Sequence, residues 1–312
     1  EVLGFPQIHC WVLAGLTLMP TTGNVDPTLG EENWKSSFMH EEEIAQPGYH
    51  RMYLKDYGIW VEQTATDRTG MYRLTFTQDS DADILVNLGG YIASTTMRNA
   101  DVKKVFNNEI EGSFDTYGRH WGGPENVKVH FVIRFDKDFE RLDGWRDKER
   151  YSDIDTLQGS SIITRRHPKE ELSYLDSPTS GVSAHYRVKT GDKICVRTAI
   201  SYVSVDNARE NLENDAVTWD FDLVKKTSQD EWNKWLGRIE VKGGSQKQRT
   251  KFYTDLWHVL LGRHKIDDVN GEYPDLTEGE RYYSYTRNIH PKTRTLPRGE
   301  DGKVLHHMYN SD

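Results

Sequence analysis

The segment VKVHFVIRF, residues 127–135, decides the fold class of this chain. Apolar residues at every second position share one face of it: Val127, Val129, Phe131, Ile133 and Phe135. Such alternation is typical of a β-strand with one buried face. Mostly period-two patterns recur between residues 50 and 225, and they predict further strands at His50–Leu54, Ile59–Thr66, Met71–Thr77, Ile84–Leu88, Glu109–Phe114, Ala184–Val188, Ile194–Val205 and Val217–Leu223.

The predicted strands are separated by segments rich in Gly, Asn and Asp, such as DRTG, NLGG, WGGPEN and KTGD. These residues favour the tight turns of antiparallel sheets. Many strands with few helices indicate a mainly β fold. We therefore predict a large antiparallel β-sandwich over residues 1–226.

The period changes to that of helices near residue 227. Ser228 with Glu231, and Ser245 with Gln248, match the capping box that begins many helices. We predict a helical linker over residues 227–245 and a second helical domain beginning at residue 246 and continuing to residue 312. The helix that follows Ser245 is apolar over most of its circumference, so it needs partners on more than one side.

Composition excludes several classes of protein. The net charge of -9 argues against a nucleic-acid partner, because duplex binding requires neutralised phosphates. No run approaches the ~20 apolar residues of a membrane-spanning helix. The two cysteines, Cys10 and Cys195, are too few for a disulfide framework or a zinc ribbon.

Aromatic residues are numerous, with 9 Trp and 16 Tyr. Several stand in polar, Gly-rich surroundings, where flat rings could bind the C–H faces of sugars. Trp and Tyr also fill the cores of β-sheets. Composition alone favours the core interpretation.

Local motifs for catalysis or metal binding are scarce. The P-loop, the GxGxxG turn, HExxH, GxSxG and the EF-hand loop are all missing. The segment DDVNG, Asp267–Gly271, has residues that bind calcium but lacks the alternating spacing of a calcium loop. On local grounds, a plain turn is favoured there.

Three separated segments resemble glycoside hydrolase family 92. Their sequences, in chain order, are SFMHEEEIAQPGYHRMYLKDYGIWVEQTATDRTGMYRLTF (37–76), ISYVSVDNARENL (200–212) and FYTDLWHVLLGRHKIDDVNGEY (252–273). They are similar to the family's His-Glu-x-Glu, Ala-x-Pro-Gly-Tyr and Thr-Ala-Thr-x-Arg-x-Gly run, its Ser-Val-x-Asn-Ala-Arg-x-Asn-Leu segment and its Phe-Tyr-x-x-Leu helix with the following Asp-x-x-Gly-x-Tyr loop. The resemblance spans residues 4–312.

The resemblance implies a β-sandwich, a helical linker and the start of an (α/α) six-hairpin toroid. It implies an exo-acting, inverting α-mannosidase that depends on Ca²⁺ and cleaves terminal, α-1,2-linked mannose from N-glycans or mannan. It also implies a bacterial enzyme that is secreted, periplasmic or on the cell surface. The family's catalytic carboxylates and most calcium contacts lie in the toroid, so the remainder of that domain is an expected partner and no catalytic residue is named here.

The same resemblance suggests substrate-binding residues. The stretch GFPQIHCW, residues 4–11, matches a Gly-Phe-Ser-x-x-His loop of the family and precedes an apolar strand predicted over Val12–Met19. Trp11 is expected to stack on a sugar ring and His9 to exchange hydrogen bonds with hydroxyl groups. The alternative for both is a packed strand end.

Two aspartates complete the predicted sugar site. Asp312, in MYNSD, resembles the aspartate of the family's Tyr-Ser-x-Trp-Asp-Thr segment, although the preceding Trp is missing. Asp268, in the DDVNG loop, is the fourth candidate. The alternative function is a non-catalytic carbohydrate-binding β-sandwich module.

Overall fold

The computed structural model describes residues 1–8, 15–92, 95–117, 126–159, 179–215, 218–261, 264–275, 280–282, 285–287, 291–306 and 309–310. Within them the chain forms two antiparallel sheets followed by three helices. The helices are α1 (Val205–Asp215), α2 (Phe221–Leu236) and α3 (Gln246–Leu261). Short 3-10 turns occur at Pro27–Leu29, Glu31–Asn33 and His40–Glu42.

Sixteen strands build the two large sheets: β1 (Phe5–Ile8), β2 (Gly15–Thr22), β3 (Ile44–Gln46), β4 (Tyr49–Leu54), β5 (Ile59–Ala65), β6 (Thr69–Phe76), β7 (Ser80–Asn87), β8 (Gly90–Ile92), β9 (Thr95–Phe106), β10 (Glu109–Tyr117), β11 (Asn126–Phe135), β12 (Arg141–Arg146), β13 (Glu149–Tyr151), β14 (Thr156–Gln158), β15 (Ser180–Val188) and β16 (Lys193–Ser201). Among the described residues after α3 there are three two-stranded ribbons, formed by β17 (His264–Lys265), β18 (Glu272–Pro274), β19 (Glu280–Tyr282), β20 (Tyr285–Arg287), β21 (Thr293–Thr295) and β22 (Tyr309–Asn310).

The six-stranded sheet has the order β1-β2-β7-β15-β12-β13. The ten-stranded sheet has the order β14-β9-β10-β11-β16-β6-β5-β4-β3, and β8 pairs with β9. Alternate residues of the strands point between the sheets and form one apolar core, which includes Phe114, Phe131 and Trp145. The fold class predicted from the alternation is therefore confirmed.

Segment 127–135 lies inside β11, at the centre of the ten-stranded sheet. Its predicted inner residues are buried, from Val127 at 6% exposure to Phe135 at 0%. On the other face, Val132 packs under α1 with Ala199, Ala208 and Leu212. This outer contact explains why the polar alternation of β11 is broken at Val132.

Two predictions near the end of the sandwich are wrong. The strand predicted to continue to Val205 ends at Ser201, and α1 begins at Val205. A strand was predicted at Val217–Leu223, but helix α2 begins within this segment, at Phe221. The Asp220 side chain accepts a hydrogen bond from the Leu223 amide and thereby caps the helix. Helix α2 therefore begins seven residues before the predicted capping residue Ser228.

The capping box predicted at the start of α3 is present. The Gln248 side chain accepts from the Ser245 amide at 2.8 Å, and the Gln248 amide donates to Ser245 Oγ at 3.3 Å. None of the residues Gln246–Leu261 is buried. The division of the chain at residues 226 and 245 remains a prediction.

Candidate functional site: a polar junction between the sandwich and the segment after α3

Several polar side chains meet where the loop 267–272 packs on one end of the ten-stranded sheet. We call this set the junction cluster, and it consists of Arg68, Ser201, Asn207, Asn211, Asp267, Asp268 and His306. Arg68 stands in the turn between β5 and β6, and Ser201 ends β16. The two asparagines project from α1, where a spacing of four residues puts both on one face.

Asp268 is the centre of the junction cluster. Its Oδ2 accepts hydrogen bonds from Ser201 Oγ at 2.7 Å and Asn207 Nδ2 at 2.8 Å, and its Oδ1 accepts from Asn211 Nδ2 at 2.7 Å. The residue is 3% exposed. Burial raises the pKa of the Asp268 carboxyl, and the three donors oppose that rise. The carboxylate thus joins the loop to both β16 and α1.

The loop 267–272 is also fixed through its backbone. The Asp268 amide donates to the Glu272 carbonyl at 2.8 Å, and the Gly271 amide donates to the Asp268 carbonyl at 2.8 Å. Asn211 Oδ1 accepts from the Val269 amide at 2.8 Å. These bonds form a closed turn, as predicted for DDVNG on local grounds, and its two aspartates and Gly271 are buried.

Asp267 forms the second half of the junction cluster. Its Oδ2 pairs with Arg68 Nη2 at 3.0 Å and with His306 Nδ1 at 2.5 Å, and Arg68 Nε donates to the Asp267 carbonyl at 2.8 Å. The Asp267 side chain is 0% exposed and that of Arg68 is 7% exposed. Asp267 Oδ1 is buried and has no hydrogen-bond partner among the described residues.

Arg68 also connects to the end of α1. Its amide donates to Asp215 Oδ2 at 2.8 Å, and its Nη1 lies 3.9 Å from Asp215 Oδ1. Burial raises the pKa of Asp215, while the charge of Arg68 opposes the rise. One arginine from the sandwich therefore holds two carboxylates from two different segments of the chain.

The ends of β1 and β2 at Ile8 and Gly15 lie at the same end of the sandwich as the junction cluster. Gly15 packs so closely on Phe114 that an added Cβ would stand 2.4 Å from the ring. Phe114 is the strand partner of Val129 on β11. His130, the residue after Val129, is the strand partner of Ser201 in the junction cluster. Residues 9–14 connect Ile8 to Gly15, which are paired with each other.

Three of the four predicted site residues, His9, Trp11 and Asp312, lie outside the described residues. The fourth, Asp268, is inside the junction cluster, and its sugar contact stays a prediction. Sequence reasoning missed Arg68, Asn207 and Asn211 as site residues. Their signal was present, because all three stand in segments that resemble the family.

A second unusual carboxyl lies at the end of β7. Glu31 is 8% exposed, and its Oε1 accepts from Asn87 Nδ2 at 2.8 Å. Burial raises the pKa of Glu31 to about 7. Asn87 is the strand partner of Thr17, two residues after the start of β2 at Gly15. The carboxyl of Glu31 therefore lies near the start of β2.

The described residues do not fit a metal site. No group of three or more His, Cys, Asp or Glu side chains that could hold a metal ion occurs among them. In the DDVNG loop, the oxygens of Asp268 are occupied by three donors and Asp267 Oδ2 is paired with Arg68. We therefore assign no calcium ligand in the described part of the chain.

Comparison with known families identifies the chain. The sequence model of the glycosyl hydrolase family 92 N-terminal domain matches residues 1–201, and that of the family 92 catalytic domain matches residues 207–297. This chain belongs to glycosyl hydrolase family 92. None of the curated proteins compared with it matches.

Solved structures of family 92 enzymes share the fold. The α-mannosidase BT3965 from Bacteroides thetaiotaomicron is 22% identical, with a TM-score of 0.69 over 91% of this chain and 35% of its own. The same enzyme in complex with mannoimidazole has a TM-score of 0.68 at 23% identity, over 91% of this chain and 34% of its own. The inverting mannosidase BT2199 from the same organism is 19% identical, with a TM-score of 0.68 over 94% of this chain and 36% of its own.

The chain thus spans about a third of the length of these enzymes. The two family 92 matches meet between residues 201 and 207, where β16 ends and α1 begins. The junction cluster therefore joins side chains from both matched regions. In the described part of the chain, no helix has the length and apolar character needed to cross a membrane.

Proposed function

We propose that this chain is the amino-terminal part of an exo-acting α-mannosidase that removes terminal, α-1,2-linked mannose from N-glycans or mannan. The observation that carries the proposal is the pair of family 92 matches in the order sandwich, then catalytic domain. The mannoimidazole complex of one structural neighbour supports a mannose-type ligand. Secretion to the periplasm or cell surface of a bacterium is part of the proposal.

In this proposal the sandwich supplies one wall of the sugar site. Inverting hydrolysis needs a general acid and a general base about 6.5–9.5 Å apart, with a water between the base and the sugar. We assign both carboxylates to the remainder of the catalytic domain. Trp11 and His9 would contribute a stacking surface and hydrogen bonds from the sandwich, and Asp312 would bind sugar hydroxyls.

The junction cluster supports a site to which the sandwich contributes sugar contacts and the catalytic domain contributes the carboxylates. A catalytic site between two domains works only if the domains keep a fixed separation, because small displacements of reacting groups lower the rate steeply. Arg68 and Asn211 hold the segment that enters the catalytic domain against the sandwich through buried bonds to Asp267 and Asp268. We assign Asp268 a second role as a positioning residue for this reason.

The test uses the complete protein that carries this chain, with α-1,2-, α-1,3- and α-1,6-linked mannobiose as substrates. We expect release of mannose, fastest from the α-1,2 linkage. Proton NMR during the reaction should show the β-anomer first, and chelation of calcium should abolish turnover. Failure to cleave any of the three substrates would contradict the proposal, and initial release of the α-anomer would contradict inversion.

The alternative is a non-catalytic carbohydrate-binding module. Such a module binds mannosides as an isolated 312-residue chain and leaves them intact. The match of residues 207–297 to a catalytic domain disfavours it. Calorimetry of the isolated chain with methyl α-mannoside separates the two, because a half-site should bind weakly or not at all.

A further inference from the structure

A half-open groove lies on the outer face of the six-stranded sheet, away from the junction cluster. Its volume is about 260 Å³, and it is lined by Gly23, Asn24, Ser80, Asp81, Asp83, Arg141, Arg150 and His185. Asp83, four residues before Asn87 on β7, lies roughly 13 Å along the strand from that residue. The groove is therefore separate from the end of the sandwich that carries the predicted catalytic wall.

A row of three paired residues crosses the groove. Asp83 of β7 is the strand partner of His185 on β15, and His185 is in turn the partner of Arg141 on β12. The adjacent residues Ala82, Ala184 and Leu142 point into the core, so the row lies on the outer face. Antiparallel pairing thus places a carboxylate, an imidazole and a guanidinium side by side.

This row is not an ordinary solvated sheet face. His185 is only 6% exposed, and Ser183 of the same strand is 5% exposed. Residues 23–24 and the β12–β13 hairpin contribute lining residues beside the row. A polar side chain on an open sheet face would be well hydrated, whereas this histidine forms part of the groove while nearly buried.

The hydrogen bonds within the row leave defined groups for a ligand. Asp83 Oδ1 accepts from Ser183 Oγ at 2.7 Å and pairs with His185 Nδ1 at 3.2 Å. Because a carboxylate only accepts hydrogen bonds, Nδ1 donates to Asp83, and Nε2 is the ring nitrogen left for a ligand. Arg141 binds Asp143 through Nε at 3.0 Å, which leaves its terminal nitrogens as donors at the rim.

The charges of the lining select the ligand class. Two carboxylates, from Asp81 and Asp83, balance two guanidinium groups, from Arg141 and Arg150. The carboxylates would repel an anionic ligand, and the arginines would repel a cationic one. A neutral hydroxyl group can donate a hydrogen bond to Asp83 and accept one from Arg141. The described residues around the groove include no group of three side chains that could hold a metal ion.

We propose that this groove binds one sugar residue of a mannose-containing glycan, as an accessory site outside the catalytic centre. The volume of the groove, about 260 Å³, is just below the ~300–1,000 Å³ of ordinary small-molecule sites, so the ligand would be no larger than one sugar residue. The identity of the sugar rests on the proposed function. The site would hold the enzyme on a branched or polymeric substrate while the catalytic centre releases terminal residues.

The test measures binding of methyl α-mannoside to the complete protein whose catalytic site is saturated with mannoimidazole. We expect a second, weak binding event in calorimetry. The double variant Arg141→Gln/Arg150→Gln should weaken it at least tenfold. Both side chains are partly exposed, at 39% and 47%, so the variant is expected to fold. Asp81→Asn, at a side chain 57% exposed, provides an independent disruption.

Arg238→Gln is the matched control, since Arg238 follows α2 and stacks on Trp235 away from the groove. It should leave the second binding event unchanged. Mannosidase activity without a second binding event, or equal binding by the groove variants and the control, would overturn the accessory site. Binding in the groove by a protein that cleaves no mannoside would instead contradict the proposed function.

Discussion

The surroundings of Asp268 and helix α3 differ in how far their side chains are buried and hydrogen-bonded. At Asp268, three side chains from two elements donate to one buried carboxylate. Along α3 no residue is buried, Val259 is 73% exposed, and the indole nitrogen of Trp257 is inaccessible to solvent yet has no partner among the described residues. The carboxylate of Asp268 is satisfied by side chains of the chain itself, whereas α3 presents apolar surface, which we propose is covered by the remainder of the catalytic domain.

This difference indicates which segments contribute to the stability of the sandwich. The junction cluster extends the sandwich through α1 and the loop 267–272, although both follow the sandwich strands in sequence. Helix α3 lies between these segments in the chain but contributes little burial. We therefore expect substitutions in the junction cluster and in α3 to differ strongly in their cost.

The largest effect is expected for Arg68→Met. The substitution leaves Asp267 as a buried carboxylate without its guanidinium partner, which should lower the free energy of unfolding by about 3–5 kcal/mol. Urea denaturation followed by circular dichroism measures it. Arg187→Met is the control. It removes the ion pair between Arg187 and Asp81, whose side chains are 72% and 57% exposed, and it should cost less than about 1 kcal/mol. Equal costs for the two variants would show that the junction cluster is not a stabilising element.

Glu31 should make stability depend on pH. Its pKa rises from the ordinary value of 4.5 to about 7 on folding, so the folded state binds the proton more tightly than the unfolded state. The contribution of Glu31 to stability is then fully present below pH 4.5, and roughly 3 kcal/mol of it is lost as the pH rises through 7. Glu31→Gln should remove this contribution and make the protein more stable at pH 8.

Denaturation of Glu31→Gln at pH 5 and pH 8 tests this assignment. Glu32→Gln, which changes the neighbouring and more exposed carboxylate, is the matched control and should keep the pH dependence of the parent protein. A pH dependence that survives in Glu31→Gln would mean that another group is responsible.

Trp11→Ala tests the predicted sugar wall. Loss of a stacking surface should lower kcat/KM of the complete protein by the equivalent of about 1–3 kcal/mol. Trp60→Ala is the control, because Trp60 stacks on Tyr53 and Arg51 within the ten-stranded sheet. Unchanged kinetics for Trp11→Ala would support a packed strand end at that position.

The smallest effect is expected in α3. Val259→Ser should change the stability of the 312-residue chain by less than about 0.5 kcal/mol, because the side chain is 73% exposed. The same substitution in the complete protein should cost more, since we propose that the catalytic domain covers this surface. Equal effects in the two proteins would show that Val259 remains exposed.

The sequence predicted the sandwich well because buried strands carry a strong period-two signal, as in Val127–Phe135. Helix α1 was missed for a physical reason: its buried face includes Asn207 and Asn211, which are hidden through hydrogen bonds rather than apolar contacts. The strand predicted at Val217–Leu223 was wrong because the Asp220 cap and the burial of Phe221 outweigh local alternation. The junction cluster depends on contacts between residues about 200 positions apart, such as Arg68 with Asp267, and periodicity carries no information on such contacts.

The central claim, that this chain forms one part of a shared mannosidase site, is tested most directly by comparing mannose release from α-1,2-mannobiose by two proteins. These are the 312-residue chain, with its β-sheet content verified by circular dichroism, and the complete protein at equal concentration. We predict release by the complete protein and none by the chain alone. Release by the chain alone at a comparable rate, or none by the complete protein, would contradict the claim.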